Sequence, residues 1–158
     1  MSLDPEVVPI LEFMQSLGMP DPATATPADF RGGMVALPVE NPTPVAAVED
    51  QTIAGPGGAL GLRIYRPEGN APAPLLVFYH GGGWVIGDLD SHDELCRQLC
   101  AGAGCVVVSV DYRLAPEAKF PAAPEDCYAA TLWAVDHAAA IGADSGRVCV
   151  AGDRAGGN

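Results

Sequence analysis

Two glycine-rich segments hold the residues whose types and spacing suit nucleophilic chemistry at a carbonyl carbon: His80-Gly81-Gly82-Gly83 and Gly152-Asp153-Arg154-Ala155-Gly156-Gly157. Consecutive glycines let backbone N–H groups turn toward a bound oxygen with no Cβ in the way, so the first segment can stabilise an oxyanion, cradle a phosphate, or only turn the chain. The nucleotide fingerprints fail on spacing. Gly81 and Gly83 would need a third glycine where Ile86 stands, and no Gly-Lys-Ser/Thr occurs anywhere. The second segment has the spacing of a nucleophile elbow, G-x-S-x-G, in which a serine on a strained strand-to-helix turn exposes its hydroxyl to the substrate. Gly152 and Gly156 keep the flanking positions. The middle residue is Arg154, whose permanently charged guanidinium has no hydroxyl to attack with.

Both segments need strands to position them. Leu75 to Tyr79 is a continuous apolar run, as expected of a strand covered on both faces, and it ends at His80. Arg147 to Ala151 is a shorter run that ends at Gly152, and Cys105 to Val110 is a third buried-strand candidate. Between them, Ser91 and Glu94 form a capping-box pattern ahead of Leu95, Leu99 and Ala103, which predicts a helix over 92–102. Tyr128, Leu132 and Val135 at i, i+4 and i+7 predict an amphipathic helix over 124–140. Upstream, Val45–Ile53 and Leu60–Arg66 flank the turn-rich Gly55–Gly58 as a hairpin. Alternating strands and crossover helices imply an α/β class with a mostly parallel sheet entered by an antiparallel hairpin. Residues 4–17 read as an amphipathic helix through Val7, Leu11 and Met14, flanked by Ile10, Phe13 and Leu17 and stopped by Gly18 and Pro20. A proline-rich loop over 19–44 follows, with a short helix near 28–32, and Met1-Ser2-Leu3 reads as partly an expression scar. The expected division is therefore residues 1–44 and residues 45–158.

Composition narrows the function. Of 158 residues, 49% are hydrophobic and 18% charged, which supplies a packed core for one domain of ordinary size. Twenty acidic against eight basic residues give a net charge of −12, the wrong sign for holding nucleic acid by counterion release. No apolar run approaches the ~20 residues of a membrane span, and the first thirty residues, with Asp4, Glu6 and Glu12, do not read as a signal peptide. Five cysteines, an odd number, point to reduced thiols and a cytoplasmic protein. Cys96 and Cys100 are four apart on one helix, but no second ligand pair follows at zinc spacing, so they read as core residues and no metal is expected.

With these residues in view the chain resembles the N-terminal half of the hormone-sensitive-lipase-like family of α/β-hydrolase carboxylesterases. Three motifs carry the likeness, in order: His80-Gly81-Gly82-Gly83-Trp84; Asp111-Tyr112-Arg113-Leu114-Ala115-Pro116-Glu117 with Phe120-Pro121-Ala122; and Gly152-Asp153-Arg154-Ala155-Gly156-Gly157-Asn158, which matches the family's G-D-S-A-G-G-N except at Arg154. The resemblance spans residues 45–158, the first five strands of the α/β-hydrolase fold, and likens the N-terminal helix to the family's cap element. It implies oxyanion-hole amides from Gly81, Gly82 and Ala155, and the nucleophile's position at Arg154. Around these, His80, Gly83, Gly152, Asp153 and Gly156 belong to the supporting motifs, His80 as a structural residue. It also implies a bracing role for Asp111, Arg113 and Glu117, a small-molecule ester as substrate and no cofactor.

In that fold the triad acid and histidine follow the nucleophile, whereas His80, His92 and His137 all precede it. His137 and Asp136 are adjacent on a helix and point different ways, so they do not make a base–acid pair. The expectation is a serine carboxylesterase of short acyl esters whose present sequence turns over nothing. The alternative is a non-catalytic anion-binding or assembly protein on the same scaffold. The edge strand 147–151 would then pair with another copy, or with a C-terminal half. A half-domain with that strand bare is expected to be unstable.

Overall fold

The computed structural model describes residues 4–16, 18, 21, 24–33, 39–69 and 72–158. They fall into two compact units, Met1–Val35 and Ala36–Asn158. In the first, helix α1 spans Val8–Ser16 after a turn in which Asp4 accepts the amides of Glu6 and Val7. Met1–Leu3, Leu17 and Pro20 lie outside the described residues, and Gly18 takes a left-handed φ of +64°. Helix α2, Pro27–Gly33, opens on a reciprocal cap: the Thr26 amide and hydroxyl donate to Asp29 Oδ2, and the Asp29 amide donates back to Thr26 Oγ1.

The second unit is a five-stranded sheet in the order β1-β2-β4-β3-β5. Strands β1 (Ala47–Gly55) and β2 (Gly58–Arg66) form the antiparallel hairpin, and β2 meets β4 (Val106–Asp111) antiparallel. Strand β3 (Ala73–Tyr79) lies between β4 and β5 (Ala143–Gly152), parallel to both. Period-two alternation divides β3 between two cores. Leu75 and Val77 pack with Leu62, Val108 and Val110 under Ala130 and Ala134, whereas Leu76 and Phe78 pack with Tyr65, Val107, Cys96 and Cys100. Helices therefore cover both faces: α4 (Ala122–Asp136) one, α3 (Asp93–Ala103) the other.

Three expectations about these elements need correction. Ser91 and Glu94 do not cap α3. Ser91 closes a turn with the Asp88 amide and carbonyl, while Glu94 accepts the amide and hydroxyl of Thr43. Helix α4 starts two residues early, because a proline at Pro124 is tolerated in a first turn whose amides have no intrahelical partner, and it ends at Asp136, with Ala138–Ile141 forming a separate turn, α5. Its buried face is Ala123, Asp126, Ala130 and Ala134, while Tyr128 and Leu132 are exposed. Alanines let the helix approach a valine-rich sheet more closely than the larger side chains would. Strand β5 is longer than expected. Its register with β3 jumps between Pro74↔Asp144 and Leu75↔Val148, and it forms the sheet edge, with Val148 and Val150 exposed.

Candidate active site

The parallel strands β3 and β5 end side by side, Tyr79 opposite Gly152, and each releases its glycine-rich turn at the same end of the sheet. The two turns touch so closely that side chains are excluded. A Cβ on Gly156 would lie 2.0 Å from the Tyr79 carbonyl oxygen and 2.7 Å from that of His80, and one on Gly152 would meet Gly156 O at 2.3 Å. This is the physical reason for glycine on either side of position 154. After β5, Arg154–Gly157 forms a single 3-10 turn, and Arg154 itself adopts a φ of +48°. The other described non-glycine residue with positive φ is Trp84, at +61°, which closes the first turn. Backbone strain of this kind, of order 1–3 kcal/mol per residue, persists where surrounding structure over-determines it and clusters at functional sites.

The amides divide unequally. Gly81, expected to donate to an oxyanion, already donates to Asp153 Oδ1 at 2.6 Å. In this conformation the carboxylate one residue before Arg154 reaches over and takes the bond. The amides of Gly82, Gly83 and Ala155 have no acceptor among the described residues. Gly82 and Gly83 both have left-handed φ, +128° and +63°, which only glycine adopts without cost, and a Cβ on Gly82 would lie 2.0 Å from the Ile86 carbonyl oxygen.

His80 is fully buried. Its ring stacks on Tyr112 with centroids 4.2 Å apart, its Nδ1 is 2.8 Å from the Gly81 carbonyl, and its Nε2 has no partner among the described residues. Burial pushes its pKa below the usual imidazole value, partly opposed by the Gly81 carbonyl, so the ring is held neutral under the turn. Tyr112 OH donates to the His80 carbonyl, which pins the strand end from below.

Residues 76–158 match the α/β hydrolase fold family. The chain belongs to that family. Its motifs and relatives place it in the hormone-sensitive-lipase-like carboxylesterase group. It is 51% identical over 146 residues to the carboxylic ester hydrolase LipN of Mycobacterium tuberculosis, which covers 92% of this chain and 38% of that protein. Among solved structures, the Pyrobaculum calidifontis esterase is 53% identical with a TM-score of 0.70, covering 72% of this chain and 37% of its own. The ester-hydrolase EH1AB1 from the metagenome of Lake Arreo is 38% identical with a TM-score of 0.85, covering 98% and 52%. The chain thus spans about two fifths of the length of the curated relative and up to about half of the structural ones.

The loop after β4 carries Asp111, Arg113 and Glu117, expected to brace the site, and Arg113 makes such a brace. Arg113 turns to α4, where Asp126 accepts its amide at 3.0 Å, Nε at 2.7 Å and Nη2 at 2.8 Å. Asp126 is almost fully buried on the alanine face, an acid whose position signals such a partner. Asp111 makes no ion pair among the described residues, and burial raises its carboxyl pKa. The Ala115 amide donates to the Trp84 carbonyl at 2.7 Å, so the loop also clamps the strained end of the first turn.

His92 is a residue that motif reasoning passed over. Its Nε2 lies 3.3 Å from Asp153 Oδ1, the atom that binds Gly81. The sequence puts it at the first position of the helix predicted over 92–102 and carries no signal of its contact with Asp153. His137 stacks on Trp133 and lies 2.8 Å from the Trp133 carbonyl through Nδ1, remote in role from Asp136. Cys96 and Cys100 are buried in the α3-side core, and no described group of three or more His, Cys, Asp or Glu side chains has the arrangement of a metal site. No described helix is long and apolar enough to cross a membrane.

Proposed function

We propose that the whole protein is a carboxylic ester hydrolase acting on short acyl esters through a serine acyl-enzyme, and that the sequence with Arg154 is inactive. The observation that carries this reading is the elbow wedged by Gly152 and Gly156 against the end of β3, beside the unpaired amides of Gly82, Gly83 and Ala155. A serine in place of Arg154 would attack the acyl carbon. Its proton would pass to a histidine following in the family's order, and the carbonyl oxygen, now negative, would be met by donors that need no reorganisation. Gly82 and Ala155 keep the roles the resemblance gives them, and Gly83 takes the place of the engaged Gly81. Residues 1–44 would serve as a cap element and 45–158 as the first half of the hydrolase domain. All five cysteines are free thiols, which suits a reducing compartment such as the cytoplasm.

The test is turnover of a short-chain nitrophenyl ester by this chain, by its Arg154→Ser form, and by a full-length Arg154→Ser protein. Loss of a nucleophile costs about 10⁶ in kcat. The full-length serine form should therefore be active and the arginine forms silent. Turnover by the arginine chain would refute the mechanism, and a silent full-length serine form would refute the assignment. A second reading has support from two features: an exposed cationic residue, Arg154, beside unpaired amides suits a non-catalytic carboxylate site, and bare β5 suits pairing with another copy or a C-terminal half. Acetate calorimetry and a solution mass distinguish it; no acetate binding and a monomeric mass remove it.

A further inference from the structure

Three elements meet at one carboxylate. Asp153, at the end of β5, accepts the Gly81 amide from the turn after β3 and faces His92 Nε2 from the residue before α3. The Gly81 bond, at 2.6 Å to an acid, is of the short, charge-assisted kind. His92 is not a free surface side chain. Its ring is largely buried, with centroids 5.5 Å from that of His80 and 6.0 Å from that of Phe78, and its Nδ1 is 3.0 Å from Ser91 Oγ. Ser91 is fixed in turn by Asp88, whose amide donates to Ser91 Oγ and whose carboxylate accepts the Ser91 amide at 2.7 Å. The ring orientation is therefore set from its far side.

Asp153 is by contrast about one-third exposed, and nothing on its own 3-10 turn holds the carboxylate in place. With a single partner it would swing between the Gly81 amide and water. In the tautomer with the proton on Nε2, where Nδ1 accepts from the Ser91 hydroxyl, His92 is a second donor that removes that freedom. What depends on it is the direction of the neighbouring amides: the Gly82 amide shares a rigid peptide plane with the Gly81 carbonyl, which lies 2.8 Å from His80 Nδ1, but a run of three glycines has almost no steric preference of its own, so that plane is fixed only when the amide end of Gly81 is anchored as well.

We propose that His92 is a positioning residue of the active site: acting through Asp153, it fixes the Gly81 amide and thereby aims the unpaired amides of Gly82 and Gly83. This deepens the oxyanion reading and rests on it for its purpose. His92 itself touches no reacting atom. A role confined to holding the start of α3 would leave those glycine amides where they are.

The test uses the ¹⁵N-labelled chain and its amide resonances. His92→Phe keeps an aromatic ring and removes the donor, while His92→Gln restores an N–H near the same place. In His92→Phe, exchange of the Gly81 amide should accelerate about tenfold, as for loss of one hydrogen bond's support, with Gly82 and Gly83 moving toward averaged glycine shifts. His92→Gln should reverse both changes. Unchanged Gly81–Gly83 amides in His92→Phe would overturn the proposal, as would a folded His92→Gln that fails to rescue them. A His92→Phe chain that loses all amide dispersion would also overturn it, by showing that His92 holds the fold instead of the turn. Sodium acetate separates this from the oxyanion reading. If acetate shifts the Gly82, Gly83 and Ala155 amides equally in parent and His92→Phe, positioning fails and the oxyanion reading stands. If acetate shifts none of them while His92→Phe still frees Gly81, positioning stands and the oxyanion reading fails.

Discussion

Replacing Gly156 by alanine tests whether the elbow is a wedge between strand ends or merely a convenient turn. The new Cβ would lie 2.0 Å from the Tyr79 carbonyl oxygen and 2.7 Å from that of His80. An ordinary carbon–oxygen contact needs more than 3 Å, so something must move by about 1 Å. Both opposing atoms are backbone, and Tyr79 is fixed by its pairing with Val110 on one side and Gly152 on the other. The turn itself must give. Overpacking of this kind costs about 1–3 kcal/mol, and Gly→Ala recovers about 0.4–1 kcal/mol from the unfolded chain. With no flexible side chain to absorb the clash, a net loss near 2 kcal/mol is expected. At a urea slope of about 1–2 kcal/mol per M, the unfolding midpoint should fall by roughly 1–2 M. Gly102 is the control. It lies in α3 with nothing within 4 Å of its would-be Cβ, so Gly102→Ala should gain up to about 0.5–1 kcal/mol from helix propensity. Urea unfolding followed by the fluorescence of Trp84 and Trp133 measures both. A midpoint in Gly156→Ala within 0.3 M of the parent would refute the wedge, since a loss near 2 kcal/mol implies a shift several times larger.

Two pH-linked predictions concern the supporting elements. Burial pushes the thiols of Cys96 and Cys127 up to about 12 and that of Cys100 up to about 11, against an ordinary 9.0. Their contribution to stability is complete below pH 9 and is lost as pH rises toward those values, because the unfolded chain ionises first. The urea midpoint should accordingly decline from pH 9 upward, and at pH 8 a thiol reagent should label exposed Cys149 well before these three; early labelling of Cys96 would contradict its burial. Thr43, through its hydroxyl and amide, holds the Glu94 carboxyl below its ordinary 4.5. That contribution is present above pH 4.5 and is lost as pH falls through the depressed value. Thr43→Val should raise the Glu94 midpoint in an NMR titration and shrink the acid-side loss, and an unmoved midpoint would show that the contact contributes nothing.

Strands were legible where burial is simple. Leu75–Tyr79, and Cys105–Val110 apart from Ser109, are apolar on both faces because a central strand meets helices on both, and such an apolar run has few other uses. The helices were less so. Tyr128, Leu132 and Val135 have helical spacing, yet only Val135 packs against the core, because close packing on a sheet of valines favours Ala130 and Ala134 over larger side chains. The pattern at Ser91 and Glu94 is the same reciprocal motif that Thr26 and Asp29 complete. It is not made at α3, where Glu94 instead accepts from Thr43, 51 residues away, and Ser91 bonds to Asp88, 3 residues away.

Residue order alone was enough to establish the two glycine-rich turns, the absence of a hydroxyl at position 154 and the α/β-hydrolase kinship, since each depends on residue types at short fixed spacings. Which amides remain free was decided only by the assembled sheet. Gly81 and Asp153 are 72 residues apart, and they meet because parallel pairing brings the ends of β3 and β5 together, so the carboxylate claims one donor and leaves its neighbours unpaired. Hydrogen-bond competition across such a distance is a property of register and strand order, to which local spacing is blind.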